Sequence, residues 1–596
     1  MTISNYDKFP SVKVSDHSED CVTGWENIGG TIRNRIAALT KKKVVIVIDC
    51  YHGVNHTEVE KAFRESIEHI AFYNTTELFK TDREISEMVY PFVTDDEVFG
   101  YWTTLRMGDY FDPGKLQNFS QNLKNIEEGV VIIYGAGAAC LAEGDLLVYC
   151  DMARWEIQLR MRRNEVSNLG LNNRETDFSL QYKHAYFVDW RVLDQHKTNY
   201  MTQWNYVVDT NCAGQPKMIK GADLLKGLKI AAHRPFRVVP FFDPGPWGGQ
   251  WLKKVADLDK DTVNFAWAFD CVPEENSMLL RFGETTFEIP SVNLVFNQPE
   301  ALLGKKVYER FGAEFPIRFD LLDTMEGGNL SLQVHPTVKY IKEKFGMNYT
   351  QDESYYLLDA KENAVVYLGL NEDVDPDEMI HELEEAQKGM SGFDADKHVK
   401  KWPVKKHDHV LIPAGTVHCS GKDSIVLEIS TTPYIFTFKL WDWGRLGLDG
   451  KPRPINIKHG QHVIQWDRKE SWIRKNLLND IEKVAEGDGW IEEKTGLHAY
   501  QFLESRRHWF TKPVLHTTDG GVNVINLVEG KEAIVESPEG LFEPFVIHYA
   551  ETFIVPAAVG EYTIRPYGAS EGQQCATLKA FVQIGRIKNS HHYLAD

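Results

Sequence analysis

The pattern of apolar residues changes near residue 235, and this change constrains the fold more than any other feature of the chain. Before it, apolar runs at 43–48, 130–134 and 146–152 alternate with helix-like segments, which predicts an α/β sheet. After it, short strands rich in aromatic and β-branched residues are separated by Gly, Pro, Asn and Asp turns, which predicts mainly-β structure. We therefore expect a multidomain protein, because a chain of 596 residues holds about three or four domains of ordinary size.

The charge of the chain limits its expected partners, and its cysteines and N-terminal segment indicate its expected compartment. The net charge of -20, from 86 acidic and 66 basic residues, argues against nucleic acid or an anionic membrane as the main partner, because both need a basic surface. The eight cysteines show no CxxC pairing and the N-terminal segment lacks the regions of a signal peptide, so we expect reduced thiols in the cytoplasm. No apolar run approaches the roughly 18–20 residues of a membrane span. The oligomeric state is left open.

Composition and turn signals divide the chain into four expected parts. These are an α/β domain at 1–234, a central β domain at 235–370 and 403–470, a helical insert at 371–402, and a helical linker with a second β domain at 471–596.

Local capping signals predict the helices of the β region. Asp375, Pro376 and Glu378 stand where an N-cap, a first helical residue and a capping-box acid belong, and an apolar stripe at helical spacing follows them. The segment SWIRKNLLNDIEKVAEG at 471–487 is the expected linker helix.

The first strand of the chain's α/β part leads into a turn and then a helix, an arrangement that resembles P-loop kinases of the nucleoside or uridine type. Their phosphate cradle needs GxxxxGK[ST], in which glycines expose backbone amides and a lysine neutralises phosphate. Here Cys50, Asn55 and His56 stand in place of Gly, Gly and Lys, and the hydroxyl of Thr57 alone remains. We expect a kinase-like fold without nucleotide turnover, with an active small-molecule kinase as the alternative.

Four side chains from separate segments form a candidate metal site. In the strand-like segment NLSLQVH, alternation puts Ser331, Gln333 and His335 on one face, although such a face taken alone would meet solvent. Glu353 begins another strand-like run, and His418 follows the IPAGTV turn. Together, the amide, the two imidazoles and the carboxylate suit a borderline divalent cation, and we expect zinc with open positions for substrate.

A carboxylate and two cations extend this site. Glu428 lies within the apolar strand IVLEI, where a charge is costly unless it is paired, neutralised or used. An ion pair with Lys439 or Arg445 and a role in proton transfer are both open explanations. Lys439 and Arg445 lie six residues apart, so they share one side if the strand continues, and both are candidate anchors for a substrate anion.

The order of these motifs resembles type I mannose-6-phosphate isomerases of the cupin superfamily. The resemblance runs from about residue 235 to the end, through LSLQVHP, DESYYLLDA, IPAGTVH, the WDWGRLGLDGKPR run and FIVPAAVGEYTI. It implies cupin (jelly-roll) barrels, a divalent metal, and interconversion of mannose 6-phosphate and fructose 6-phosphate. The residues that it implies are the metal ligands Gln333, His335, Glu353 and His418, the acid Glu428, the serine Ser331 and the active-site position of Lys439. With Arg445 added from its spacing, we expect Glu428, Lys439 and Arg445 to be catalytic and Ser331, Lys439 and Arg445 to bind substrate.

Three positions depart from the family pattern. Gln351 and Asp320 stand where family members carry lysine, and Lys439 stands where they carry arginine. The loss of positive charge and of bidentate geometry weakens the case for a phosphorylated sugar. We expect a metal-dependent aldose–ketose isomerase acting on mannose 6-phosphate or a related sugar. The alternative is a non-catalytic sugar-binding or regulatory cupin fused to a pseudokinase-like domain.

Overall fold

The computed structural model describes residues 4–432, 435–450, 453–496 and 498–583. The outermost parts of the expected terminal domains, 1–3 and 584–596, lie outside these residues. Contacts divide the chain into two compact units. The α/β unit contains residues 11–231 and 274–297, and the β unit contains residues 1–10, 232–273 and those from 298 onward.

A seven-stranded sheet forms the centre of the α/β unit. Five neighbouring strands are parallel, and two antiparallel strands complete one edge. The three apolar runs expected from the sequence form adjacent strands of this sheet, buried as a parallel sheet covered by helices should be. In spatial order the strands are Val22–Thr23, Lys217–Lys220, Tyr206–Asp209, Leu146–Asp151, Lys43–Cys50, Gly129–Gly135 and Ala71–Asn74.

Helices connect these strands. The helix after the first long strand begins behind Asn55, whose side chain accepts a hydrogen bond from the Glu58 backbone N–H and so caps the helix. The α-helices of the unit are Trp25–Ala37, His56–Ser66, Asp82–Val93, Pro113–Asn125, Arg154–Arg162, Phe178–His184, Trp190–Tyr200, Gly221–Ala231 and Val292–Asn297. Shorter helical turns are Ser18–Asp20, Thr75–Leu78, Met107–Tyr110, Ala138–Cys140, Ala185–Asp189 and Met201–Gln203.

A small second sheet draws a distant segment into the α/β unit. Strand Ser11–Ser15 pairs in parallel with Ser277–Phe282, which pairs in turn with Thr285–Pro290. Residues 274–297 therefore fold with the α/β unit although they follow the first segment of the β unit. The expected domain limits follow the chain in order and do not place 274–297 with the α/β unit, because the sequence of a strand does not specify which strand it pairs with.

Two facing antiparallel sheets form the first sandwich of the β unit. The six-stranded sheet has the order His409–Ile412, Glu353–Ala360, Ser424–Thr431, Ile317–Asp323, Trp267–Cys271 and Phe241–Asp243. The five-stranded sheet has the order Val399–Pro403, Val365–Leu370, His418–Ser420, Leu332–Val334 and Phe438–Trp441.

A second pair of antiparallel sheets follows. Apolar side chains from both of its sheets form one core, with Phe510, Ile525, Val535, Phe553 and Tyr562 among them. The six-stranded sheet has the order Glu482–Gly487, Trp490–Gly496, Leu503–Phe510, Cys575–Val582, Asn523–Glu529 and Thr552–Val555. The four-stranded sheet has the order Val514–Thr517, Glu561–Pro566, Glu532–Glu536 and Phe545–His548.

The helices of the β unit are short and amount to a minor part of it. Nowhere in the described ranges is there a helix with the length and apolar character needed to cross a membrane. The helices are Trp251–Val255, Pro299–Leu303, Lys305–Phe311, Val338–Phe345, Pro376–Gln387, Ala395–His398, Ile457–Gly460 and Glu470–Asn476, with short turns Ala557–Val559 and Gly568–Ser570.

Of the two helices predicted in the β unit, the one at 375–387 forms, and the prediction of the other at 471–487 is largely wrong. The helix Pro376–Gln387 begins behind Asp375, whose side chain accepts from the backbone N–H groups of Asp377 and Glu378. The expected helix at 471–487 is limited to Glu470–Asn476, because Asn479 has a positive φ of 45° and the residues beyond it form strand Glu482–Gly487. That strand pairs with its neighbour in a hairpin, so cross-strand pairing overrides the local helical pattern.

Candidate metal centre

The two sheets of the first sandwich bring the four predicted ligands together. Gln333 lies on strand Leu332–Val334, directly opposite His418 on the antiparallel neighbour, and His335 follows two residues later on the same face. Glu353 comes from the facing sheet. All four side chains are buried between the sheets, so alternation on the strands aims them at one another.

Glu353 bridges the two imidazoles. Its Oε2 lies 3.0 Å from His335 Nε2, and its Oε1 lies 2.7 Å from His418 Nε2. One ligand atom from each of these three residues lies within 4.8 Å of the others. The amide nitrogen of Gln333 lies 3.2 Å from His418 Nε2, and a half-turn of the amide would present its oxygen there instead. The predicted set is therefore compact enough to share one cation.

Backbone carbonyls fix the orientation of both rings. His335 Nδ1 lies 3.0 Å from the Phe436 carbonyl oxygen, and His418 Nδ1 lies 2.9 Å from the Thr416 carbonyl oxygen. A carbonyl can only accept, so each Nδ1 carries the proton. In the neutral ring Nε2 is then a lone pair directed at Glu353, which is the form in which histidine binds a metal.

Electrostatics and unmet hydrogen bonds also fit a cation. Burial raises the pKa of Glu353, but the charges of His335 and His418 outweigh it and lower that pKa overall. Burial lowers the pKa of His335, and the charge of Glu353 raises it above its ordinary value, so the carboxylate favours a positive charge at His335 Nε2, and a bound cation would take the place of the proton there. Apart from the imidazole–carboxylate contacts within this cluster, His335 Nε2 and Glu353 Oε1 are buried without a hydrogen-bond partner among the described residues. Because buried polar atoms are rarely left unsatisfied, these residues fit a bound divalent cation.

Glu428 lies in the same interior and has a partner that the sequence interpretation missed. Its Oε1 lies 3.2 Å from Arg318 Nη1, so Glu428 does form an ion pair, but with Arg318 and not with Lys439 or Arg445, the partners named in one of the two open explanations. Arg318 also forms an ion pair with Asp320, which lies directly opposite Glu428 on the neighbouring strand. Burial raises the pKa of Glu428 well above its ordinary value, and the charge of Glu353 adds to this rise. Alternation along FPIRFDLLDT places Arg318 and Asp320 on one face, but the local sequence does not show that this strand pairs with the strand of Glu428.

Arg445 and Arg453 form a cluster of basic side chains near the start of strand Leu332–Val334, next to Ser331. Asp442 Oδ1 accepts hydrogen bonds from the Ser331 hydroxyl at 2.8 Å and from Arg445 Nη2 at 2.7 Å. Arg453 Nη1 lies 2.8 Å from Asp442 Oδ2 and 3.1 Å from the Ser331 hydroxyl. The sequence interpretation named Ser331 and Arg445 but missed Asp442 and Arg453, although both belong to the WDWGRLGLDGKPR run.

Lys439 adds a third positive group to this cluster. It pairs with Gln333 across the sheet, and burial followed by the charge of Arg453 lowers the pKa of Lys439 to about 7. The strand ends at Trp441, so the expected strand geometry that would carry Arg445 to the same side is wrong. The turn after the strand brings Arg445 to Asp442 instead. One carboxylate thus stands among three basic side chains next to the metal ligands.

Gln351, which stands where the family pattern has lysine, contacts the candidate ligand carboxylate. Its amide nitrogen lies 3.2 Å from Glu353 Oε2. A neutral donor therefore replaces a charge at this position and holds the ligand without adding to its electrostatic stabilisation.

Comparison with known proteins gives a different result for each end of the chain. Residues 24–233 match a family described as a domain of unknown function, DUF8485. Part of the chain is homologous to mannose-6-phosphate isomerases. It is 26% identical over 223 residues to that of Streptococcus mutans, which is 37% of this chain, and 28% identical over 232 residues to ManA of Bacillus subtilis, which is 39% of this chain. The chain spans 64% of the length of the first relative and 68% of the second.

Solved structures of the same kind of enzyme are also similar. The mannose 6-phosphate isomerase from Bacillus subtilis matches with a TM-score of 0.47 at 17% identity, over 58% of this chain and 99% of that chain. A mutant of the phosphomannose isomerase from Salmonella typhimurium matches with a TM-score of 0.44 at 13% identity, over 59% of this chain and 100% of that chain.

Proposed function

We propose that this chain is a metal-dependent aldose–ketose isomerase with a cupin-type catalytic sandwich, interconverting mannose 6-phosphate and fructose 6-phosphate or a closely related sugar. The observation that carries the proposal is the buried cluster of His335, Glu353 and His418, with Gln333 beside it and both Nδ1 atoms bonded to backbone carbonyls. The partial homology to mannose-6-phosphate isomerases supports it.

Each part of the site has a chemical task in this reaction. A divalent cation, best matched by zinc, would be held by Gln333, His335, Glu353 and His418 and would polarise substrate oxygens as a Lewis acid. Isomerisation moves a proton between adjacent carbons, and the carboxyl of Glu428 is the group that we assign to this transfer. The carboxyl is buried within the sandwich, which excludes bulk water from it.

The cation cluster suits the charged end of a sugar phosphate. Arg445 and Arg453 carry two positive charges against the single carboxylate of Asp442, and Lys439, whose pKa is lowered to about 7, gains its full charge when an anion binds nearby, so an added anion would be attracted. Ser331 supplies a hydroxyl on the same strand face as the metal ligands, two residues from Gln333. The substrate would then lie along this strand, with its reacting carbons towards the metal ligands and its phosphate towards Arg445 and Arg453.

The decisive experiment measures turnover by the full chain. Purified protein is given zinc and mannose 6-phosphate, and fructose 6-phosphate is detected with a coupled enzyme. We expect turnover that falls about 100-fold or more in Glu428→Gln, since general acid–base catalysis contributes at least that much, while bound zinc stays unchanged. A substrate panel of phosphorylated and free aldoses then identifies the sugar.

Asp377→Asn, a change of an exposed carboxyl to its amide on the helix Pro376–Gln387, is the matched control. Full activity of Glu428→Gln, or no turnover by the unaltered protein with any aldose, would refute the proposal.

One contact favours the rival function, a sugar-binding or regulatory protein without turnover. Arg318 lies 3.2 Å from Oε1 of Glu428, so the carboxyl assigned to proton transfer is already engaged. Arg318 also forms an ion pair with Asp320, which stands where the family pattern has lysine. Calorimetric titration with mannose 6-phosphate distinguishes the two: tight binding without turnover supports the rival.

For the α/β unit we propose a kinase-like fold without nucleotide turnover. Asn55 caps the helix that would bind phosphate, and His56 Nδ1 lies 2.7 Å from the Tyr134 hydroxyl, where a lysine would need to reach a phosphate. We therefore expect no ATP hydrolysis that depends on Thr57. A measured ATPase activity that disappears in Thr57→Ala would support the active-kinase alternative instead.

A further inference from the structure

A second cluster of titratable side chains lies in the α/β unit, and the proposed isomerase chemistry does not use it. Asp49 lies near the carboxyl end of strand Lys43–Cys50, and Cys140 ends the GAGAAC turn that follows the neighbouring parallel strand Gly129–Gly135. His196 reaches them from helix Trp190–Tyr200. The carboxyl edge of a parallel sheet is where α/β proteins commonly place reactive groups.

The three side chains are joined in the order thiol, imidazole, carboxylate. Cys140 Sγ lies 3.3 Å from His196 Nδ1, and His196 Nε2 lies 2.5 Å from Asp49 Oδ2. Asp49 also accepts hydrogen bonds from the backbone N–H groups of Gly137 at 3.0 Å and Ala139 at 3.1 Å. One carboxylate therefore fixes both the ring and the turn that carries the sulfur.

Burial differs sharply across the cluster. Asp49 and His196 are buried, with 1% and 4% of their surfaces exposed, whereas Cys140 is exposed to solvent. Cys212 is another exposed cysteine of the same unit and serves as an internal reference. An exposed sulfur supported by a buried imidazole and acid is open to reagents while its activating groups stay ordered.

The ring is held in its charged form. Burial lowers the pKa of His196, but the charge of Asp49 and the hydrogen bonds to Asp49 and Cys140 raise it to about 10. Asp49 on the strand, Cys140 on the turn and Tyr200 on the ring's own helix are the titratable groups that face this ring in the described structure. With both ring nitrogens protonated, Nδ1 donates towards the sulfur and stabilises a thiolate there.

We propose that Cys140 is a nucleophilic thiol and the covalent site for small, soft electrophiles, with His196 stabilising its thiolate and Asp49 positioning His196. In the reaction the thiolate attacks an electrophilic carbon, a carbon–sulfur bond forms as the bond to the leaving group breaks, and the leaving group departs as an anion. His196 keeps its proton and no oxidant is consumed. A network that only fixes the turn gives Cys140 no greater reactivity than Cys212.

The test is the rate of alkylation by iodoacetamide on the full chain, measured peptide by peptide with mass spectrometry. An ordinary thiol is only a few per cent thiolate at pH 7, so we expect Cys140 to react about 10-fold faster than Cys212 at that pH. From pH 8 to pH 6 the rate at Cys140 should fall less steeply than the rate at Cys212, because a thiolate paired with a charged imidazole persists to lower pH.

Variants extend the test to the supporting residues. His196→Asn should remove the rate advantage of Cys140, while His17→Asn, at an exposed histidine of the same unit, should leave it unchanged. Because His196→Asn could disturb the fold, the pH profile of the unaltered protein decides independently. Equal rates at the two cysteines, or parallel pH profiles, would overturn the proposal, and neither result bears on the isomerase site because the readout is alkylation alone.

Discussion

At the scale of single residues, His418 tests the metal centre most directly. Its Nε2 is close to both Glu353 and Gln333, so loss of the ring would remove one of the four proposed ligands. We expect His418→Asn to weaken zinc binding by roughly 100-fold or more, since even residues that only orient ligands cost 10–100-fold. Elemental analysis of the purified protein after dialysis gives the stoichiometry. His381→Asn, at an exposed position, is the matched control, and equal zinc content in the two variants would refute the site.

His409 makes a separate prediction about acid stability. The ring is buried against Tyr356, neither ring nitrogen has a hydrogen bond to a described residue, and burial followed by the charge of Arg507 lowers the pKa of His409 to about 3. The unfolded chain takes up a proton below about pH 6.5 and the folded chain does not. The contribution of the neutral His409 ring to the free energy of unfolding is therefore complete above about pH 6.5 and declines as the pH falls towards 3.

The change that tests this is His409→Leu. Between pH 7 and pH 5 the unaltered protein should lose about 2 kcal/mol more free energy of unfolding than the variant does. Urea titrations at the two pH values measure the difference. Identical pH dependence in both proteins would show that the ring is protonated in the folded state.

At the scale of elements, the cap of helix Pro376–Gln387 can be tested alone. The Asp375 side chain accepts from two backbone N–H groups, at 2.9 Å and 3.1 Å. Asp375→Ala should destabilise this helix by about 1 kcal/mol, and Asp375→Ser should recover most of the loss. Hydrogen exchange of the helix amides provides the measurement. If the alanine and serine variants exchange alike, the side chain does not stabilise the helix.

The elements also show what the sequence could and could not predict. Asp375, Pro376 and Glu378 gave the start of a helix because capping is local. Residues 482–487 belong to a segment whose sequence pattern also predicts a helix. They form a strand instead, because a neighbouring hairpin strand supplies the hydrogen bonds. In the site, the convergence of the four candidate ligands followed from motif order and alternation. The Arg318 contact depends on which strand lies beside Ile317–Asp323, and no local pattern specifies that pairing.

At the scale of the whole molecule, the α/β unit depends on residues far along the chain. Lys197 Nζ is buried and lies 2.8 Å from Asp151 Oδ1 and 3.1 Å from Asn293 Oδ1, while Asn293 Nδ2 lies 2.8 Å from Asp151 Oδ2. A fragment 11–231 lacks Asn293 and the strand Ser277–Phe282 that pairs with Ser11–Ser15.

We expect this fragment to unfold at a lower temperature than a version joined to 274–297 through a flexible linker. Breaking a buried polar network costs on the order of 3–5 kcal/mol. Thermal unfolding followed by circular dichroism compares the two, and equal transition temperatures would contradict the prediction.

Because residues 274–297 belong to the α/β unit, the two units cannot be separated by dividing the chain at one point. The chain passes between its two units at 10/11, 231/232, 273/274 and 297/298, which is four times, whereas two genes fused end to end would give one passage. No single cut by a protease and no single recombination event separates the halves intact. Any single cut therefore leaves part of one unit attached to the other.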